Sequence, residues 1–118
     1  MRFIQHLFAA GFLLGGLTQA VAAPDGFIDC AKAATVDEKA ICADIKLVQD
    51  DARMVTLYKV AMGLAGMGVR GDLQDGQSTW LEHRHTCKDD TTCLRTTYAA
   101  RIERLQKVID AVAARGPF

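Results

Sequence analysis

The chain has 118 residues, half of them hydrophobic, with 14 basic and 14 acidic side chains. That length supports one domain with one modest core. The even charge balance argues against a nucleic-acid binder, which carries a clear basic excess, and equally against a strongly acidic decoy.

The first residues read as an export signal. Met1-Arg2 supplies a cation with no acid, and an uncharged apolar stretch runs from Leu7 to Leu17. It is shorter than the roughly 20 apolar residues that span a bilayer. Ala20-Val21-Ala22 is a small-x-small pattern that suits signal peptidase, and the favoured cut lies after Ala22, because a later one would place Pro24 beside it. Residues 1–22 are therefore expected to be a signal peptide and residues 23–118 a single helical domain, with no stable membrane span after cleavage. No cysteine follows the apolar stretch directly, which argues against a lipid anchor. Loss of the leader removes Arg2 and no acid, so the remainder is mildly acidic.

Residues 23–34 read as an extended leader segment holding Pro24, Gly26 and Cys30. Thr35-Val36-Asp37-Glu38 matches a capping box, with Thr35 as N-cap and Glu38 three residues on, and predicts a short helix from about Val36 to Cys42. From Asp44 to Leu64, Leu47, Met54, Tyr58, Ala61 and Ala65 recur at helical spacing. Gly63, Gly66, Gly68, Gly71 and Gly76 then predict a helix end and a flexible connection. They form no phosphate loop, since no Gly-Lys-Ser/Thr and no preceding strand accompany them.

A third helix is predicted from about Leu73 to Thr86, with Leu73, Gln77, Trp80, Arg84 and Cys87 on one stripe. Lys88-Asp89-Asp90-Thr91 reads as a turn, and Asp90 or Thr91 can cap a fourth helix to about Ala114. Its stripe is Leu94, Tyr98, Arg101, Leu105, Val108 and Val112, and Gly116-Pro117 stops it. No segment alternates with a period of two. The expected fold is all-α, a small disulfide-stapled domain of one short and three longer helices.

Cys30, Cys42, Cys87 and Cys93 are the four cysteines. In an exported chain of this size an even number reads as a disulfide framework. Of the three pairings, Cys30–Cys42 with Cys87–Cys93 is favoured. One bridge would tie the leader to the end of the short helix, and the other would lock the corner between the third and fourth helices. Each closes a short loop, worth roughly 2–3 kcal/mol by loop entropy. Metal is the alternative, with His83 four residues before Cys87 and Cys93 nearby. Neither cysteine pair has the spacing of a zinc knuckle, however, and no Cys-x-x-Cys suggests redox catalysis. No metal and no cofactor are expected.

Four polar residues interrupt the apolar stripes: Asp51, Gln77, Arg84 and Arg101. A buried carboxylate needs charged or hydrogen-bonding partners, and arginine offers a planar fork of donors. Asp51 is therefore expected to pair with Arg84 or Arg101 in a network that orients the helices. The other reading is a functional cleft. There is no second carboxylate for a glycosidase pair and no nucleophile elbow around Ser78, so no catalytic residue is assigned and an enzyme is not expected. Trp80 and Tyr58 read as core. The binding candidates are His83 and His85 at the corner and Arg70 in the glycine-rich connection.

The ordered pattern Asp29-Cys30-Ala31-Lys32-Ala33, Glu38-Lys39-Ala40-Ile41-Cys42, Leu47, Asp51 and Tyr58 continues as Gln77-x-x-Trp80-Leu81-x-x-Arg84-x-x-Cys87. It ends as Cys93-Leu94-x-x-x-Tyr98-x-x-Arg101-Ile102-x-x-Leu105. Over about residues 28–106 this resembles the N-terminal domain family of the LprI-type lysozyme inhibitors. Two positions depart from it: Ile45, where the family often has proline, and Asp50, where an apolar residue is common. The resemblance implies an all-helical disulfide-bonded domain, periplasmic or secreted, and inhibition of lysozyme by direct binding. It carries no catalytic residues and does not place the contact surface. The alternative is an accessory interaction domain of the envelope that binds another protein or a cell-wall component without inhibiting lysozyme.

Overall fold

A computed structural model describes residues 27–115; the expected signal peptide, with its expected cut after Ala22, lies outside the described residues. The chain forms four helices in order, α1 (Val36–Ala43), α2 (Ile45–Leu64), α3 (Met67–Thr86) and α4 (Thr91–Ala113), with no strand among the described residues. The fold class is the expected one. Both bridges of the favoured pairing are present, Cys30–Cys42 and Cys87–Cys93, each with Cα atoms 5.6 Å apart.

The helix starts follow from local chemistry. Glu38 Oε2 accepts from the backbone N–H of Ala34 (2.9 Å) and Thr35 (3.2 Å), closing the acidic half of the capping box at α1. Asp44 alone separates α1 from α2. Its extended backbone ends the first helix, and its Oδ1 accepts from Lys46 and Leu47 at the start of the second. Asp44 Oδ2 also receives Arg95 Nη2 of α4, which ties this corner to the opposite helix. Asp90 caps α4 by accepting from Cys93 N–H at 3.0 Å.

α2 and α4 share the largest helix–helix interface. Leu47 and Met54 of α2, Leu94 and Leu105 of α4 and Ile41 of α1 are completely buried there. Each such side chain contributes on the order of 1.5–3 kcal/mol of transfer free energy. Trp80 of α3 meets Tyr98 of α4 edge to face, with ring centroids 5.1 Å apart. Ile28 is buried against this core, so the chain is anchored by packing just before the first bridge as well as by the bridge itself.

The glycine-rich stretch corrects one expectation. Only Ala65 and Gly66 link α2 to α3, and Gly68, Gly71 and Gly76 lie inside α3. The inward stripe of Leu73, Gln77, Trp80 and Arg84 continues back to Val69, which packs on the core. That anchoring outweighs the roughly 1 kcal/mol by which each glycine disfavours a helix. A Cβ at Gly68 or Gly71 would meet nothing within 4 Å, so neither glycine is there for close packing.

Candidate functional site

The four polar residues of the stripes are all buried, and so is a fifth, Asp37, which pairs with Arg84. Asp51 on α2 accepts from Tyr98 Oη at 2.8 Å and from the Ile28 backbone N–H at 3.1 Å, so it fastens the leader segment to α4. Arg84 on α3 donates from Nε to Asp37 Oδ2 at 3.1 Å and lies 5.6 Å from the Trp80 ring centre. Burial raises the Tyr98 hydroxyl well above the ordinary tyrosine value, and the Asp51 charge raises it further, against a smaller opposing effect of Arg84. Asp51 and Arg84 thus both act on one phenol. Arg101 takes a different course, with Nε to Gln77 Oε1 at 2.9 Å and Nη2 to the Leu73 carbonyl at 3.4 Å. Gln77 also donates to Met54 Sδ at 3.3 Å.

Asp37 escapes sequence reasoning because a first-turn acid in a capping box reads as solvated. The available signal is its position four residues before Ile41, on the buried stripe of α1. Burial by itself would raise the Asp37 carboxyl. The Thr35 hydroxyl, His85 and Arg84 around it outweigh burial and hold it below the ordinary aspartate value.

The three binding candidates do not converge. Arg70 belongs to the first turn of α3, where its Nη2 reaches the Ala65 carbonyl at 3.3 Å and closes the end of α2. His85 is exposed but turns Nδ1 to Asp37 Oδ1 at 3.0 Å. His83 faces the other way, into an open trough between α3 and α4. Towards the disulfide corner this trough encloses about 460 Å³, beside Asp90, Thr92, Cys93, Thr96 and Thr97. Towards the start of α3 it encloses about 420 Å³, beside Gly76, Thr79, Arg101 and Arg104. Trp80, His83 and Ala100 line both parts. Cys87 and Cys93, the thiol ligands a metal site with His83 would use, are bonded to each other. No group of three His, Cys, Asp or Glu side chains among the described residues is placed to hold a metal ion.

The site therefore defines a class: a small helical scaffold, stapled by two disulfides, with a polar network inside and an accessible trough outside. Disulfides of this kind fit a compartment beyond the reducing cytosol, and no helix among the described residues is long and apolar enough to cross a membrane. The chain is distantly related to the LprI lipoproteins: it is 31% identical over 93 residues to lipoprotein LprI of Mycobacterium tuberculosis and of Mycobacterium bovis, a match that covers 76% of this chain. It spans 45% of the length of those relatives. No family model matches the chain, and no solved structure matches it.

Proposed function

We propose that this protein is a periplasmic or secreted binding protein, not an enzyme, that inhibits lysozyme by direct contact. The observation that carries this reading is the relation to LprI across a scaffold whose α3–α4 corner is locked by Cys87–Cys93. A locked corner loses little side-chain and loop freedom on association. It presents His83 and the open trough beside it. Lysozyme clefts hold catalytic carboxylates, so an inhibitor gains by bringing cationic donors to them.

The test is to mix the purified disulfide-bonded protein with lysozymes of several types and follow lysis of cell walls. Dose-dependent loss of lysis, saturating near equimolar ratio, is the expected result. Undiminished lysis at many-fold molar excess against every type removes lysozyme inhibition. Recovery of a different envelope protein in a pull-down would then favour an accessory interaction domain.

A further inference from the structure

Arg101 is 5% exposed, yet its hydrogen bonds run only to neutral groups, Gln77 Oε1 and the Leu73 carbonyl. Its Nη1 makes no hydrogen bond among the described residues. The charge that acts on it most strongly is another cation, Arg104, which has no carboxylate partner among the described residues either. Burial first, and Arg104 next, pull the Arg101 guanidinium below its ordinary value. A buried charge without a counter-charge is costly. Both arginines line the same end of the trough, where no acidic side chain lines the wall. Gly76 keeps this end open: a Cβ there would lie 3.3 Å from Arg101 Nη1.

We propose that this end of the trough is a carboxylate-binding pocket, with Arg101 and Arg104 as donors, that receives an acidic side chain projecting from a protein partner. The Trp80 and Ala100 surfaces, which line the same end, accept the methylenes of such a side chain. A projecting side chain suits the site better than a free acid, because the trough is open along its length and would leave a small free ligand largely in water. The inference rests on the binding-protein reading for the source of the carboxylate, while the pocket chemistry stands on the two arginines.

The test uses the labelled, disulfide-bonded protein titrated with N-acetyl-glutamate amide at constant ionic strength. It follows the Arg101 Nε–Hε resonance and the indole resonance of Trp80, the single tryptophan. The expected result is saturable shifts at millimolar probe, none with the glutamine analogue, and affinity about tenfold weaker in Arg104→Ala. Arg104 is exposed, so its removal leaves the fold intact. Absence of saturable shifts overturns the pocket, as does equal binding by the glutamine analogue or by Arg104→Ala. Succinate binding much more tightly than the blocked glutamate would overturn the protein side chain as source. Probe binding by a protein that leaves every lysozyme active supports the pocket and counts against lysozyme alone.

Discussion

Asp37 of α1 and Arg84 of α3 meet across the core, Oδ2 to Nε at 3.1 Å, although 47 residues separate them in the chain. The carboxylate is 1% exposed and the guanidinium side chain 8%. This pair docks the short first helix, which has few apolar residues of its own to bury: only Asp37 and Ile41 of α1 are buried. Removal of one partner from a buried pair leaves an uncompensated charge, which costs about 3–5 kcal/mol. Asp37→Ala should therefore lower the unfolding free energy by an amount in that range, read from urea transitions. A loss no larger than that of an exposed control such as Lys39→Ala would show that the pair does not hold α1.

The same carboxylate predicts an acid limb. Asp37 is held below the ordinary value of 3.8, and Glu38 is likewise held below its 4.5; at both, burial pushes upward and is outweighed, at Glu38 chiefly by the backbone donors of Ala34 and Thr35. A depressed folded value means that the stabilisation is fully present above the ordinary value and is lost as pH falls through the lower, folded one. The contribution of these two carboxylates should thus be constant down to the ordinary carboxylate range and fall below it. In Asp37→Asn the fall should be shallower, as measured by urea midpoints across an acid pH series.

Tyr98 makes the complementary alkaline prediction. Its hydroxyl donates to Asp51 at 2.8 Å inside the core. Tyr98→Phe keeps the ring contact with Trp80 but takes a donor from a buried carboxylate, at a cost of about 1–3 kcal/mol. Because the folded tyrosine value is raised, its stabilisation is complete below the ordinary value of 10.0 and is lost as pH rises from there towards the folded value. Wild type should lose stability above that pH more steeply than Tyr98→Phe, as read from urea midpoints across an alkaline pH series.

Much of the scaffold is legible in the sequence because several independent signals agree. Thr35 and Glu38, Asp44, and Asp90 mark helix starts, the stripes through Leu47 and Leu94 mark buried faces, and short cysteine spacings match the bridges. The start of α3 is not legible, since glycines read locally as breakers while the packing of Val69 and Leu73 is a tertiary effect. The site is less legible still. His83, Arg84 and His85 are consecutive, so helical geometry turns them about 100° apart: one into the trough, one into the core, one back towards Asp37. Sequence spacing cannot choose among these directions without knowing where α1 docks.

The glycines of α3 yield a stabilising prediction. Gly68 and Gly71 lie within the helix, and an added Cβ meets no atom within 4 Å at either. Alanine restricts the unfolded chain and suits the helix better, so each change should raise stability by about 0.5–1 kcal/mol. Gly76→Ala should gain less, because its Cβ crowds Arg101 Nη1 at 3.3 Å. Equal gains at all three positions, in the same denaturation assay, would mean that Gly76 is not reserved for the guanidinium.

Ile45 opens α2 as its first residue and is 70% exposed. At that position a backbone N–H has no partner within the helix, so proline loses nothing there and arrives with the right φ. The preceding Asp44 already has φ −121° and ψ 110°, close to the extended conformation that a following proline imposes. Its cap depends on the N–H groups of Lys46 and Leu47, not that of Ile45. Ile45→Pro should therefore raise the unfolding free energy by about 0.4–1 kcal/mol, through a less mobile unfolded chain. The native helix content by circular dichroism should stay unchanged while the thermal midpoint rises. A lower midpoint would show that the proline ring strains the α1–α2 corner.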